Sequence, residues 1–187
     1  MKLGKTLYLT DRKKWRAWLE KNRKKKKEIW LIYYKKSSGK PRIPYNDAVE
    51  EALCFGWIDS TAKKIDEESF AQRFTPRNPK SLLSEMNRER IRRLIKRKKM
   101  TQAGLEAVKH AFDGNTKREK IVIAPDILNA LKKDRKTWKN FRNFSESYRR
   151  IRIGWIEGAR ERPEMFKTRL NYFVKKTAKN KKFGMVQ

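Results

Sequence analysis

The period of the hydrophobic pattern changes at Ser81, and this change restricts the chain to a mixed fold class. Before Ser81, short β-like runs alternate with helical segments, and the clearest strand is Glu28–Tyr34, which is rich in β-branched and aromatic residues. After Ser81, apolar residues recur at helical spacing. The pattern predicts an α+β fold, with a small antiparallel sheet and packed helices followed by an all-helical C-terminal subdomain. The domains are expected at residues 1–120 and 121–187.

The N-terminal part alternates strands and helices. A short β-like run precedes a helix that Thr10 or Asp11 is expected to cap, and a second helix is expected to end at Gly56. Two further strands, separated by the turn Asp66-Glu67-Glu68, are expected to pair as a hairpin although their alternation is imperfect. In chain order, the expected segments are strand Lys5–Leu9, strand Glu28–Tyr34, helix Pro44–Phe55, strand Trp57–Ile65 and strand Ser69–Thr75.

The C-terminal part contains only helical signals and one linker. A first helix carries Leu83, Ile91 and Leu94 on one face, and a second is expected to run from its cap Thr101 through Phe112 to a stop at Gly114. Residues 115–124 are expected to form a linker. Further helices are expected to begin at residue types that favour a first turn, namely Pro125, Ser145 and Pro163.

Positive charge is abundant but unevenly distributed. The chain has 51 Lys and Arg against 21 Asp and Glu, a net charge of +30, whereas residues 45–80 carry a balance of −2. Such charge favours nonspecific binding to nucleic acid or to an anionic membrane surface, and a solvated surface without a partner is the alternative. Six Trp, six Tyr and nine Phe argue against a disordered polycation. The candidate polyanion contacts are Lys24, Lys25, Lys26, Lys27, Arg92, Arg93, Lys96 and Arg97.

Several classes of protein are disfavoured by what the sequence contains. It has no run of about 18 apolar residues and no secretory signal, so we expect a cytoplasmic protein that is not an integral membrane protein. One cysteine and one histidine exclude an intrachain disulfide and a Cys/His zinc cage. Cys54 lies between apolar neighbours and is interpreted as a buried structural thiol rather than a nucleophile paired with His110. We predict no catalytic residue, no metal and no cofactor.

Two arginines flank a proline turn at Arg73-Phe74-Thr75-Pro76-Arg77. Guanidinium groups at such a turn can bind a carboxylate or phosphate bidentately. The alternative is that they hold the turn in place by pairing with Asp59 or Asp66. Those two carboxylates have opposite parity on an extended strand, which disfavours their acting as a catalytic pair.

Four blocks of the sequence resemble one known family. Tyr45–Ser60, called the signature segment below, resembles the hallmark of the YdeI/OmpD-associated, or bacteriocin-protection, family, and Ala71–Arg77 resembles its second block. Ser84 and Asn87 with Met100–Leu105 resemble its third block, and residues 125–180 resemble its helical C-terminal domain. The chain departs from the family at the Ser81–Ser84 loop, where Leu82 and Leu83 replace the usual aromatic residue.

The resemblance implies a role in resistance to bacteriocins and cationic antimicrobial peptides, with a porin partner in some members and no catalytic residues to transfer. We therefore expect a non-catalytic protein that binds a protein or peptide partner through one exposed patch. The alternatives are a polyanion-binding protein and an enzyme with a site around Asp59 and Arg73. The expected patch consists of Trp57, Asp59, Arg73, Arg77 and Asn87.

Overall fold

The computed structural model describes residues 3–110 and 120–184, which fold into two compact units. The first, called the N-terminal unit, comprises residues 3–82 and 90–110, and the second, called the helical unit, comprises residues 83–89 and 120–184. The N-terminal elements are β1 (Thr6–Tyr8), α1 (Arg12–Asn22), β2 (Ile29–Tyr34), α2 (Tyr45–Cys54), β3 (Trp57–Lys64) and β4 (Ser69–Pro76). They are followed by α3 (Glu85–Lys96), α4 (Gln102–Val108), α5 (Pro125–Lys132), α6 (Arg135–Asn143), α7 (Glu146–Glu157) and α8 (Pro163–Ala178).

The predicted α+β class is confirmed, but the sheet is mixed rather than purely antiparallel. Its strand order is β1-β2-β4-β3, with β1 parallel to β2 and the other two pairings antiparallel. The difference arises because α1 connects β1 to β2. A helix that crosses over a sheet returns the chain to the edge at which it began, so the next strand runs parallel to the first.

The predicted hairpin of β3 and β4 is confirmed. Asp59 of β3 lies opposite Phe74 of β4, and an irregularity in the register follows between Asp59 and Ala62. The turn is closed by Asp66, whose carboxylate accepts hydrogen bonds from the backbone N–H groups of Glu68 and Ser69. On its other edge β4 pairs with β2, and β2 also pairs with β1. Both β2 and β4 are therefore inner strands of the sheet.

Side chains at the predicted helix starts accept the hydrogen bonds that a first turn leaves open. Asp11 accepts from the backbone N–H groups of Lys13 and Lys14, and Ser145 accepts from that of Tyr148. Asp134 caps α6 in the same way, a start that the sequence pattern alone did not reveal. The predicted Phe112 and Gly114 end of α4, and the first part of the linker 115–124, lie outside the described residues.

The helical unit has its own apolar core. Its buried members come from α5, α6, α7 and α8 and from the residue that follows α6. They are Ile127, Leu131, Phe141, Phe144, Tyr148, Ile153, Ile156 and Phe173. In residues 3–110 and 120–184, no helix is both long and apolar enough to cross a membrane.

Candidate functional site

The first part of the signature segment forms α2, and the carboxylates of this helix are bound by arginines. Arg12 of α1 donates hydrogen bonds to three carboxylates, at 2.9 Å to Asp47, 3.1 Å to Glu50 and 2.6 Å to Glu51. Arg16, one turn later in α1, binds the second oxygen of Glu51 at 2.7 Å. The Glu51 side chain is only 2% exposed, and each of its two carboxylate oxygens accepts a hydrogen bond from one of these arginines within the unit.

Two arginines of α3 complete this arrangement. Arg93 binds Glu50 at 3.1 Å, and Arg90, which is buried, donates to the side-chain oxygen of Asn46 at 2.7 Å. The carboxylates of α2 thus pair with cations from both neighbouring helices. The signature segment contains four acidic residues and no basic one, so these pairs neutralise most of its charge within a strongly basic chain. They also give much of the signature segment a packing role.

The C-terminal end of α2 packs closely against the start of α4. The carbonyl oxygen of Cys54 accepts hydrogen bonds from the backbone N–H and the hydroxyl of Thr101, at 3.1 and 2.6 Å. The predicted burial of Cys54 is confirmed. Burial raises the pKa of its thiol to about 11, which keeps the group protonated at neutral pH and therefore weakly nucleophilic.

Two members of the predicted patch do not lie on a common exposed surface. Trp57 is 1% exposed and packs edge to face against Trp18, with ring centroids 6.0 Å apart, so it belongs to the core. Arg73 binds Glu28 through two nitrogens at 2.7 and 2.6 Å. Because Asp59 is paired with Phe74, and neighbouring residues of a strand point to opposite faces, Asp59 and Arg73 lie on opposite faces of the sheet. The structure therefore does not bring the side chains of Asp59 and Arg73 together, and a site that uses both stays a prediction.

The remaining patch residues also have internal partners. Arg77 is 7% exposed and donates to the carbonyl oxygens of Ser81 and Leu82, at 2.8 and 2.7 Å. It thereby holds the loop after β4, in place of the predicted pairing with Asp59 or Asp66. The Nε2 atom of His110 lies 3.1 Å from the same Ser81 oxygen. Asn87 lies on α3 within the helical unit, whereas the other four patch residues belong to the N-terminal unit.

Asp59 takes part in a small polar cluster. It accepts a hydrogen bond from the hydroxyl of Tyr45, and burial raises the pKa of that phenol. The buried hydroxyl of Tyr33 has no hydrogen-bond partner among the described residues, and its pKa is raised by burial and then by the proximity of Tyr45 and Asp59. Asp59 thus serves an internal hydrogen bond, and its role at a binding surface stays a prediction.

The candidate polyanion contacts divide into exposed and engaged residues. Lys24–Lys27, called the lysine run below, are all exposed, as are Lys96 and Arg97. Arg93 is bound to Glu50, and Arg92 is half-buried. The lysine run is therefore the part of the predicted set that is most open to a polyanion.

The helical unit contains a pocket of about 480 Å³ between α7, α8 and the segment that follows α8. Its lining includes two arginines, three aromatic rings and one methionine: Arg152, Arg169, Trp155, Tyr172, Phe183 and Met165. We call it the aromatic pocket. Arg169 donates to the carbonyl oxygen of Trp155 at 2.6 Å, and its guanidinium carbon lies 4.9 Å from the centre of the Trp155 ring. An open cleft of this size can hold a small ligand or one side chain of a partner.

The sequence predictions did not include the aromatic pocket, although part of the signal is local. Met165, Arg169 and Tyr172 stand four and three residues apart in α8, which places them on one helix face. Arg152 and Trp155 are likewise three residues apart in α7. These spacings indicate two mixed faces of arginine and aromatic residues, but they do not show that the faces meet or that Phe183 closes the space between them.

Comparison with known families divides the chain into two matched parts. Residues 7–107 match a domain of unknown function (DUF8412), and residues 120–180 match the family described as Bacteriocin-protection, YdeI or OmpD-Associated. The second match supports the resemblance seen in the sequence, but it lies in the helical region, whereas the signature segment falls in the part matched by the first family. Neither the curated proteins nor the solved structures gave a match.

Proposed function

We propose that this chain, which belongs to the family defined by the domain of unknown function DUF8412 and whose residues 120–180 match the bacteriocin-protection family, protects cells by binding a peptide or protein partner. It would act in the cytoplasm and without catalysis, with a signature-bearing domain at residues 1–120 and a helical binding domain at residues 121–187.

One observation carries this proposal: the aromatic pocket is built almost entirely within the segment that matches the bacteriocin-protection family. All of its lining residues except Phe183 fall between residues 120 and 180. The lining consists of arginines, aromatic rings, Met165 and Thr168. These groups recognise a ligand by charge, stacking and hydrogen bonding.

The function is tested by survival of a bacterial strain from which the gene has been deleted. We expect such a strain to be more sensitive to a bacteriocin or cationic antimicrobial peptide, and the wild-type chain to restore survival. Arg152→Met should restore survival less well, because it removes the buried charge of the pocket. Arg135→Met, which removes one exposed charge of the same unit, is the matched control. Equal survival of the deleted and wild-type strains would contradict the proposed function.

A second candidate function, nonspecific polyanion binding, is favoured by the exposure of all four residues of the lysine run. Each lysine that neutralises a phosphate releases about one counterion, so the affinity falls steeply as salt rises. This function would need neither the aromatic pocket nor the internally paired Arg73 and Arg77.

We expect replacement of the lysine run by glutamine to weaken binding to a labelled DNA or RNA by at least about tenfold at low salt. It should also reduce the salt slope by up to about 3.6 units on duplex DNA. The matched control is the replacement of four exposed lysines of the helical unit, Lys132, Lys133, Lys136 and Lys139. Fluorescence anisotropy across a salt series measures both quantities. Equal losses from the two quadruple variants would indicate that only the total charge matters, and no binding by the wild type would reject this function.

A further inference from the structure

The most buried residue of the aromatic pocket is an arginine whose donors are not all used. Arg152 is 4% exposed, and its Nε and Nη2 atoms are buried without a hydrogen-bond partner in the described part of the chain. Burial lowers the pKa of this guanidinium, and the neighbours that act in the opposite direction are the phenols of Tyr148 and Tyr172. A buried cation with open donors is costly to a fold, so its position calls for an explanation beyond packing.

Aromatic rings compensate part of this cost but leave the donors open. The guanidinium carbon of Arg152 lies 4.3 Å from the ring centre of Phe183, 5.3 Å from that of Tyr148 and 5.9 Å from that of Trp155. Such contacts are attractive because the face of an aromatic ring carries negative charge. A ring face, however, does not take the place of an acceptor oxygen in the plane of the guanidinium.

The segment after α8 fixes the arginine in this position. The backbone N–H of Phe183 donates to the hydroxyl of Tyr148 at 3.2 Å, and the Phe183 ring packs edge to face on Tyr172, with centroids 4.8 Å apart. Gly184 lies directly against the guanidinium, since a Cβ atom there would be 2.6 Å from Nη2 of Arg152. The arginine is thus held between the segment and the rings rather than extended into solvent.

We propose that the aromatic pocket binds an organic anion in which a carboxylate lies next to an aromatic ring. The carboxylate would accept from the guanidinium of Arg152, which lines the pocket, and the ring would pack among Trp155, Tyr172 and Phe183. The exposed side chains of Tyr172 and Met165, each 43% exposed, mark the side from which the ligand enters. This chemistry occurs both in free aromatic acids and in a peptide that ends in an aromatic residue.

In a peptide or protein partner, this carboxylate and ring would be the group that the pocket holds. The cellular role of such binding rests on the proposed function, whereas the binding itself does not. Binding is measured on the purified chain, so a failure here is distinguishable from a failure of the survival experiment. Isothermal titration calorimetry at moderate salt would compare phenylacetate and N-acetylphenylalanine with their uncharged amides, and acetate would report binding to the basic surface.

We expect at least one of the two acids to bind at least about tenfold more tightly than its amide and than acetate, because the charge-assisted bonds to Arg152 require a carboxylate. Binding of phenylacetate alone would assign a free acid as the ligand, and binding of N-acetylphenylalanine alone would assign a chain terminus. Equal affinity of acid and amide, or no binding of either acid at roughly millimolar concentration, would overturn the proposal.

The variants separate a binding role of Arg152 from a structural one. Arg152→Met should abolish acid binding while leaving the melting temperature unchanged or raised, because it removes an imperfectly compensated buried charge. Arg135→Met should change neither property. If Arg152→Met does not fold, Tyr172→Ala removes one exposed wall of the pocket and should weaken acid binding by at least about tenfold. Undiminished acid binding by either folded pocket variant would overturn the proposal.

Discussion

Replacement of Gly104 by alanine is expected to destabilise the N-terminal unit by about 3 kcal/mol, although alanine is the better helix former. Gly104 lies in α4, where it passes directly over the C-terminal end of α2. An added Cβ atom would overlap the carbonyl oxygen of Cys54 and would lie 2.7 Å from its carbonyl carbon and 2.8 Å from the Leu53 oxygen. These are backbone atoms, which cannot rotate away, so the two helices would have to separate and the bonds from Thr101 to Cys54 would be strained.

Two other glycines provide matched comparisons for this variant. Gly56 has a φ of +75°, and a Cβ atom there would be 2.8 Å from that of Ala107, so Gly56→Ala combines backbone strain with a clash. Gly39 has a φ of +67° with no atom within 4 Å, so Gly39→Ala carries strain alone and should cost about 1 kcal/mol. Equilibrium unfolding in urea, with hydrogen exchange to localise the loss to α2 and α4, gives the three values. A Gly104→Ala chain as stable as the wild type would contradict the expected close contact of the helices.

The signature segment and the third block, which are separate in the sequence, contact each other at two of these glycines. Gly56 follows α2 within the signature segment, and Gly104 lies in the third block. Each permits the close approach of α2 to α4. A sequence motif of this kind can reflect close packing of two helices as well as a binding site. Taken together, the burial of Trp57 and the pairing of Glu51 favour the packing interpretation for most of the signature segment.

Features of the fold that depend on neighbouring residues could be predicted from the sequence. The cap at Asp11, the bounds of α2 and the β3–β4 hairpin all follow from short-range chemistry, and each was confirmed. The direction of β1 was wrong because it depends on the path of the chain through α1. The strand–helix–strand order was nevertheless present in the sequence, and it favours a parallel crossover.

The candidate site was harder to predict because its contacts are distant in sequence. Arg73 finds its partner Glu28 from 45 positions away, so no local pattern could show that its charge was already engaged. The aromatic pocket combines residues from α7, α8 and the segment after α8, and its chemistry is visible only once those three segments are packed together. Spacing along one helix identifies a face, whereas tertiary packing decides what that face meets.

Replacement of Glu51 by glutamine is expected to destabilise the N-terminal unit by about 2–3 kcal/mol. Glu51 is almost fully buried and accepts from Arg12 at 2.6 Å and from Arg16 at 2.7 Å. An amide would remove the negative charge that faces Arg12 and Arg16 and would turn an N–H donor toward one of the two guanidinium groups, which are themselves donors. Arg12 would keep its bonds to Asp47 and Glu50, whereas Arg16 would lose its carboxylate partner. The cost stays below that of a fully buried pair because the side chains of Arg12 and Arg16 are 30% and 35% exposed and regain some hydration.

Asp47→Asn is the matched control because it makes the same chemical change against the same arginine at a more exposed position. Asp47 is 34% exposed and binds Arg12 at 2.9 Å, so its loss should cost less than about 1 kcal/mol. Added salt should reduce the cost of Asp47→Asn much more than that of Glu51→Gln, since buried charges are screened poorly. A double-mutant cycle with Arg12→Met isolates the coupling to Glu51. If both variants lost the same free energy of unfolding and added salt reduced both losses, α2 would be stabilised by surface charge. A larger and salt-insensitive loss for Glu51→Gln would show that the buried pair with α1 stabilises α2.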